Sequence, residues 1–128
     1  MKQNPVVVAS FPVEPEGRAL LGRELGEVSR LVFLKDLEGS ENRRKALESA
    51  DILMSFMMGQ EILSSELPLL KNLKLFQSLL AGVDALPFSL MPKDAAICCN
   101  AGAWADPLAE HALGMALALG KNLRPLHN

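Results

Sequence analysis

"LKLFQSLLAGVDAL", Leu73–Leu86, gives the chain two opposite instructions within a few residues. Leu73-Lys74-Leu75-Phe76-Gln77-Ser78 carries the apolar bulk of a buried strand. Ala81-Gly82-Val83-Asp84 then strips that bulk away, so the strand must end and the chain must turn. Glycine permits φ > 0, and consecutive N–H groups in such a turn form an anion-sized concavity. With Asp84 capping a short helix over 84–90, the N–H groups before it stay free to face a cleft, where a carboxylate fits. The plainer alternative is a strand-to-helix turn with an Asp cap and no ligand.

Working outward, the same rhythm runs through the chain. "PVVVAS" (Pro5–Ser10), "VSRLVF" (Val28–Phe33), "ADILMSF" (Ala50–Phe56) and "AAICCN" (Ala95–Asn100) read as further strands. Helical patterns separate them. One opens at Pro15-Glu16-Gly17 with Leu20, Leu21 and Leu25 on one face. A second runs from Ser40, a candidate cap, to Ser49. Gly59–Asn72 reads as short helical turns broken by Pro68. Strand and helix alternating five times predict an α/β domain, a parallel sheet with helices on both faces. Such sheets bind ligands at the carboxyl ends of their strands, so the residues just after each strand carry the information.

Asp106-Pro107 announces a last helix, Leu108 to about Leu123, with Asp106 as N-cap. It is apolar nearly all round, which predicts cover from another domain or subunit, and hence self-association. Glu110 and His111 sit in its first turns; a neutral, packed His111 bonded to a carboxylate is the expectation. His127 falls in a terminal stretch and reads as solvated.

Bulk properties narrow the function. A length of 128 residues predicts one domain, and half the residues are apolar, enough for a real core. A net charge of −2 offers no basic stripe, which argues against nucleic acid. The N-terminus does not read as a signal peptide, and the longest apolar run falls short of a membrane span. Cys98 and Cys99 are adjacent and lack a CxxC pattern; both are expected to be reduced and mostly buried, in a cytoplasmic protein with no metal site.

The strand ends exclude several chemistries. Ser10-Phe11-Pro12-Val13-Glu14 is not a phosphate loop, and Asp51 begins the third strand where a phosphoacceptor would end it. No P-loop or GxGxxG occurs. Met57 and Met58 follow the third strand, where they either line an apolar pocket or pack under the next helix. Asn100 ends the fifth strand and can both donate and accept, toward a ligand or toward its own turn.

Three motifs in order, Ala81-Gly82-Val83-Asp84, Asn100-Ala101-Gly102 and Leu108-Ala109-Glu110-His111-Ala112-Leu113, resemble the D-isomer-specific 2-hydroxyacid dehydrogenases over residues 73–123. The resemblance implies a flavodoxin-like, five-stranded substrate-binding domain over residues 1–103, then a long apolar hinge helix over 104–128 leading to a cofactor domain. It implies that Leu80, Ala81 and Gly82 meet the carboxylate of a small 2-hydroxy or 2-oxo acid, and that Met57 and Met58 border its side chain. It implies that Asn100 lies near both substrate and nicotinamide, that Leu108 touches the cofactor side, and that the Leu108–Leu123 helix packs in a homodimer. The family's cofactor fingerprint and its catalytic Arg, Glu and His have no match in these residues. The implied activity is therefore NAD- or NADP-dependent hydride transfer by a longer chain, with no catalytic residue here, no cofactor bound to this chain alone and no activity alone. The alternatives are a non-enzymatic, corepressor-type relative that uses the fold as an interaction module, and a free-standing flavodoxin-like module, which the missing phosphate loop disfavours.

Overall fold

The computed structural model describes residues 4–123, so His127 lies outside the described residues. Five short strands form the sheet: β1 (Val6–Ala9), β2 (Arg30–Phe33), β3 (Ile52–Ser55), β4 (Leu75–Ser78) and β5 (Ala96–Cys98). All pair in parallel in the order β2-β1-β3-β4-β5, the flavodoxin-like arrangement. The helices are α1 (Pro15–Leu25), α2 (Ser40–Glu48), the single turn α3 (Met58–Glu61) and α4 (Ala105–Gly120). Short 3₁₀ turns add Leu34–Asp36, Leu67–Leu70 and Phe88–Leu90.

Strand periodicity sorts the sheet residues into two unequal faces. Val8, Leu53 and Phe76 lie side by side on one face and are fully buried. Ala46 and Leu47 of α2, with Leu67 and Leu70, close over them to make the core. The opposite face carries the row Val7, Ile52, Leu75, Ala96 and the row Ala9, Met54, Gln77, Cys98. Only α1, beside β2, covers that face, and α1 buries none of its residues. Leu21 and Leu25 are half-buried, whereas Leu20 stays half-exposed. An apolar groove bordered by Leu25, Val28, Ile52, Met54 and Leu75 remains open. Helices do lie on both faces, but cover is complete on only one.

That asymmetry corrects one expectation. Cys98 is exposed and Cys99 half-buried, both as free thiols, because β5 is the edge strand and Cys98 faces the uncovered side.

Helix boundaries shift for local reasons. Ser40 is the first residue of α2, not its cap; Gly39 holds the cap position at φ 80°, a conformation glycine adopts without strain. The expected helix over 84–90 is a turn followed by the 3₁₀ turn Phe88–Leu90, so Asp84 caps no helix. Pro87 explains this, since it disfavours helical backbone at Leu86. α4 starts at Ala105 with Trp104 at the cap, so Asp106 lies inside the first turn. Pro107 is tolerated there because first-turn N–H groups have no intrahelical duty.

The end of α4 is well defined. The Leu123 N–H bonds the Ala118 carbonyl at 3.0 Å and the Asn122 N–H bonds the Leu119 carbonyl at 3.1 Å, with Asn122 at φ 51°. This is a Schellman stop with asparagine in the left-handed position. Along its whole length α4 buries no residue; Leu108, Leu113, Met115, Leu117 and Leu119 are each more than half exposed. His111 is exposed too, and among the described residues its side chain makes no hydrogen bond, so the packed, carboxylate-bonded His111 is overturned. The helix sends no side chain into the core, so its apolar residues stay largely exposed. Among the described residues, no helix is long and apolar enough to cross a membrane.

Candidate functional site

Three adjacent strands finish on a serine. Ser10 follows β1, Ser55 ends β3 and Ser78 ends β4, and all three are buried. A small hydroxyl at each strand end leaves room above the sheet and can still take a hydrogen bond. Ser78 Oγ accepts from the Leu80 N–H at 3.2 Å, which starts the turn out of β4. Ser10 and Ser55 turn instead to Glu61.

Glu61 is a buried carboxylate held by four donors. Its Oε2 accepts the Ser10 hydroxyl at 2.6 Å, the Ser55 hydroxyl at 2.7 Å and the Phe56 N–H at 3.2 Å. Its Oε1 accepts the Met57 N–H at 2.6 Å. Among the described residues it forms no ion pair; Arg43 donates to the Glu61 backbone carbonyl at 2.6 Å, and its guanidinium pairs with Glu66. Glu61, Ser10, Ser55 and Ser78 are not among the site residues the sequence singles out. The signal was present as "VVVAS", "ILMS" and "LFQS", with an acid six residues after the second.

Beside this knot opens a cleft of about 230 Å³, at the carboxyl ends of β3 and β4. Phe56, Met57, Met58 and Gln60 form one wall, Phe76 and Ser78 the floor, and Leu80, Gly82, Val83 and Leu86 the other wall. Such a volume is about eight waters' share of the liquid, the scale of a small organic acid. The lining is apolar with a few polar groups and no charged side chain.

The loop after β4 is anchored at its start and bare beyond. The Leu79 N–H bonds the Ser55 carbonyl at 2.9 Å, and the Asn100 N–H bonds the Leu80 carbonyl at 2.9 Å. Among the described residues, the N–H groups of Ala81, Gly82 and Val83 donate to no protein acceptor. Gly82 does not take the positive φ expected of it; positive-φ glycines are Gly39 and Gly102. Asp84 folds back over the loop, and a Cβ added at Gly82 would lie 3.1 Å from its Oδ2.

Of the residues singled out in the sequence, Met57, Met58, Leu80 and Gly82 line the cleft, and Ala81 sits exposed on its rim. Met58 is buried, while Met57 stays 42 % exposed, so the pair both packs and lines. Asn100 stands behind the loop as a brace, its carboxamide 3.5 Å from the Leu79 carbonyl. Gly102, at φ 85°, makes the following turn, in which the Ala103 N–H returns to the Asn100 carbonyl at 3.3 Å. Leu108 is exposed on α4 and is not brought to the cleft.

Solved structures of similar fold include two dehydrogenases. One is a D-isomer-specific 2-hydroxyacid dehydrogenase family protein from Aeromonas salmonicida, at TM-score 0.67 and 24 % identity over 98 % of this chain. The other is a D-lactate dehydrogenase from Aquifex aeolicus, complexed with NAD and lactic acid, at TM-score 0.67 and 20 % identity over 95 % of this chain. The fold is one these dehydrogenases contain. This chain spans 38 % and 35 % of their lengths. No protein-family model matches the sequence, and no curated protein matches it.

The described residues do not by themselves fit a dinucleotide. The helix that opens at the cleft, α3, is a single turn without a glycine-rich phosphate loop to hold a pyrophosphate.

Proposed function

We propose that the chain is the substrate-binding domain of an NAD- or NADP-dependent 2-hydroxyacid dehydrogenase, with residues 1–103 forming that domain and 104–128 a hinge toward the cofactor domain. The observation that carries the reading is the loop after β4: three successive free N–H groups, Ala81 to Val83, at the mouth of an apolar cleft. A 2-oxo or 2-hydroxy acid has the matching halves, a carboxylate for the loop and an apolar side chain for the Met57–Met58 wall. The likeness to two dehydrogenases over nearly the whole chain supports the same assignment.

On this reading the chain holds the substrate and orients its reacting carbon. Nicotinamide held by a cofactor domain would supply the hydride, and Asn100 and Leu108 would border it in the assembled enzyme. The acid–base group belongs to residues outside this chain, so the chain alone is inactive. Self-association through α4 would cover its exposed leucines.

The test is a chemical-shift titration of the chain with pyruvate and larger 2-oxo acids. Saturable shifts at the Ala81, Gly82 and Val83 amides are expected in the millimolar range or tighter. No shift with any 2-oxo or 2-hydroxy acid removes the substrate assignment. A longer chain carrying both domains should reduce a 2-oxo acid with NADH or NADPH; no turnover with either leaves a binding protein in place of an enzyme.

A further inference from the structure

We infer that Glu61 is a positioning residue: it fixes the Phe56–Met58 wall of the cleft and so sets the size of the apolar group the cleft accepts. This deepens the substrate-domain reading and rests on it for the identity of the ligand.

Keeping a carboxylate buried without a cation is costly, and four hydrogen bonds are the compensation. What those bonds hold identifies their purpose. Two come from the ends of adjacent central strands, Ser10 after β1 and Ser55 in β3. The Ser10 hydroxyl also lies 3.1 Å from the Met54 carbonyl, which already receives the Ser10 N–H at 3.0 Å; its single proton goes to the shorter, charge-assisted contact with Glu61 at 2.6 Å. The other two come from the Phe56 and Met57 N–H groups, within the cleft wall itself. Phe56 and Met57 leave 46 % and 42 % of their surface exposed, so side-chain burial does not hold them in place. Their backbones are held nonetheless, by a side chain that is itself 8 % exposed. Met58 is anchored in the core beside them, and Glu61 ties the exposed Phe56 and Met57 to the middle of the sheet.

A residue that merely closed the single turn of α3 would affect stability and nothing else. A residue that places the wall must also affect selectivity. Glu61→Gln keeps the size but, whichever way the amide turns, sets its NH₂ against a backbone N–H, that of Phe56 or of Met57. Ser10→Ala is milder, deleting one donor and leaving the carboxylate.

The experiment titrates wild type, Glu61→Gln and Ser10→Ala with glyoxylate, pyruvate and 4-methyl-2-oxopentanoate, and follows the Met57 and Met58 methyl signals. Glyoxylate has no side chain and meets only the loop after β4. The expected result is unchanged glyoxylate affinity, with roughly tenfold weaker 4-methyl-2-oxopentanoate binding in Glu61→Gln, the scale of a misplaced apolar contact. Ser10→Ala should show the same trend at smaller size, and it keeps the test valid should Glu61→Gln not fold. Equal loss for all three acids, or no change in a folded variant, overturns the inference. If wild type binds none of the acids, the substrate reading fails by itself. Unmoved methionine signals in the variants then overturn the wall-positioning claim, and displaced signals sustain it.

Discussion

Asn100 donates its backbone N–H to the Leu80 carbonyl at 2.9 Å, which ties the end of β5 to the loop that leaves β4. The Asn100 side chain adds only a long, exposed contact to Leu79. Bracing and ligand binding can therefore be separated. Asn100→Ala keeps the backbone bond and should cost less than about 1 kcal/mol of stability, read by denaturant unfolding. If its affinity for 2-oxo acids nevertheless falls by about tenfold, the carboxamide itself meets the ligand.

Gly82→Val tests the loop directly. Gly82 has no positive φ, so its backbone accepts a side chain, and the nearest obstacle is the movable Asp84 carboxylate at 3.1 Å. The expected outcome is a melting temperature close to wild type with carboxylate binding abolished. Undiminished binding in the same titration would rule out the loop as an anion site.

Acid sensitivity should arise at the other end of the sheet. Asp51 accepts the Lys74 ammonium at 2.6 Å and the Val6 N–H at 2.9 Å, joining the starts of β1, β3 and β4. These bonds hold its carboxyl below its ordinary value of 3.8, the Lys74 bond first and the Val6 N–H second. Because the folded value is the lower one, the stabilisation is complete above the ordinary value and is lost as pH falls through the folded one. Asp51→Asn should flatten this part of the stability profile below about pH 4 and cost about 1 kcal/mol at neutral pH, checked by unfolding at a series of pH values.

Self-association should depend on α4. Leu113 and Leu117 lie one turn apart and are both more than half exposed. Glu at both positions should shift sedimentation toward monomer without changing the fold. A wild-type chain that is strictly monomeric at micromolar concentration would exclude a dimer through this helix.

Much of the fold could be read because its strands are short apolar runs with hard stops. Val6–Ala9 is β-branched and framed by Pro5 and Ser10, and Leu75–Ser78 is bounded by the bare Ala81-Gly82 pair. What escaped was set by contacts distant in sequence. Periodicity does not tell that Cys98 faces a side α1 fails to reach, since that depends on strand order. Glu61 resembled any surface acid on a short helix, because its donors Ser10 and Ser55 come from separate strands. The absent helix over 84–90 was local and readable in principle: the restriction Pro87 places on Leu86 outweighed the cap signal of Asp84. At the site, methionines and bare amides were visible as residue types, whereas the carboxylate that orders them was not.

The one-sided cover of the sheet also governs how the molecule opens. Val8, Leu53 and Phe76 unite β1, β3 and β4 beneath α2, so amide protons in those strands should exchange with solvent only when the whole domain unfolds. β5 has one neighbouring strand and an uncovered face, and α4 has no buried residue, so both can open while the centre stays folded. The two cleft walls belong to different classes in this hierarchy. Phe56–Met58 is tied to the late-opening centre through Glu61, and the loop after β4 leans on Asn100 at the early-opening edge. A ligand spanning both would slow exchange at β5 most, since the weaker wall has more order to gain.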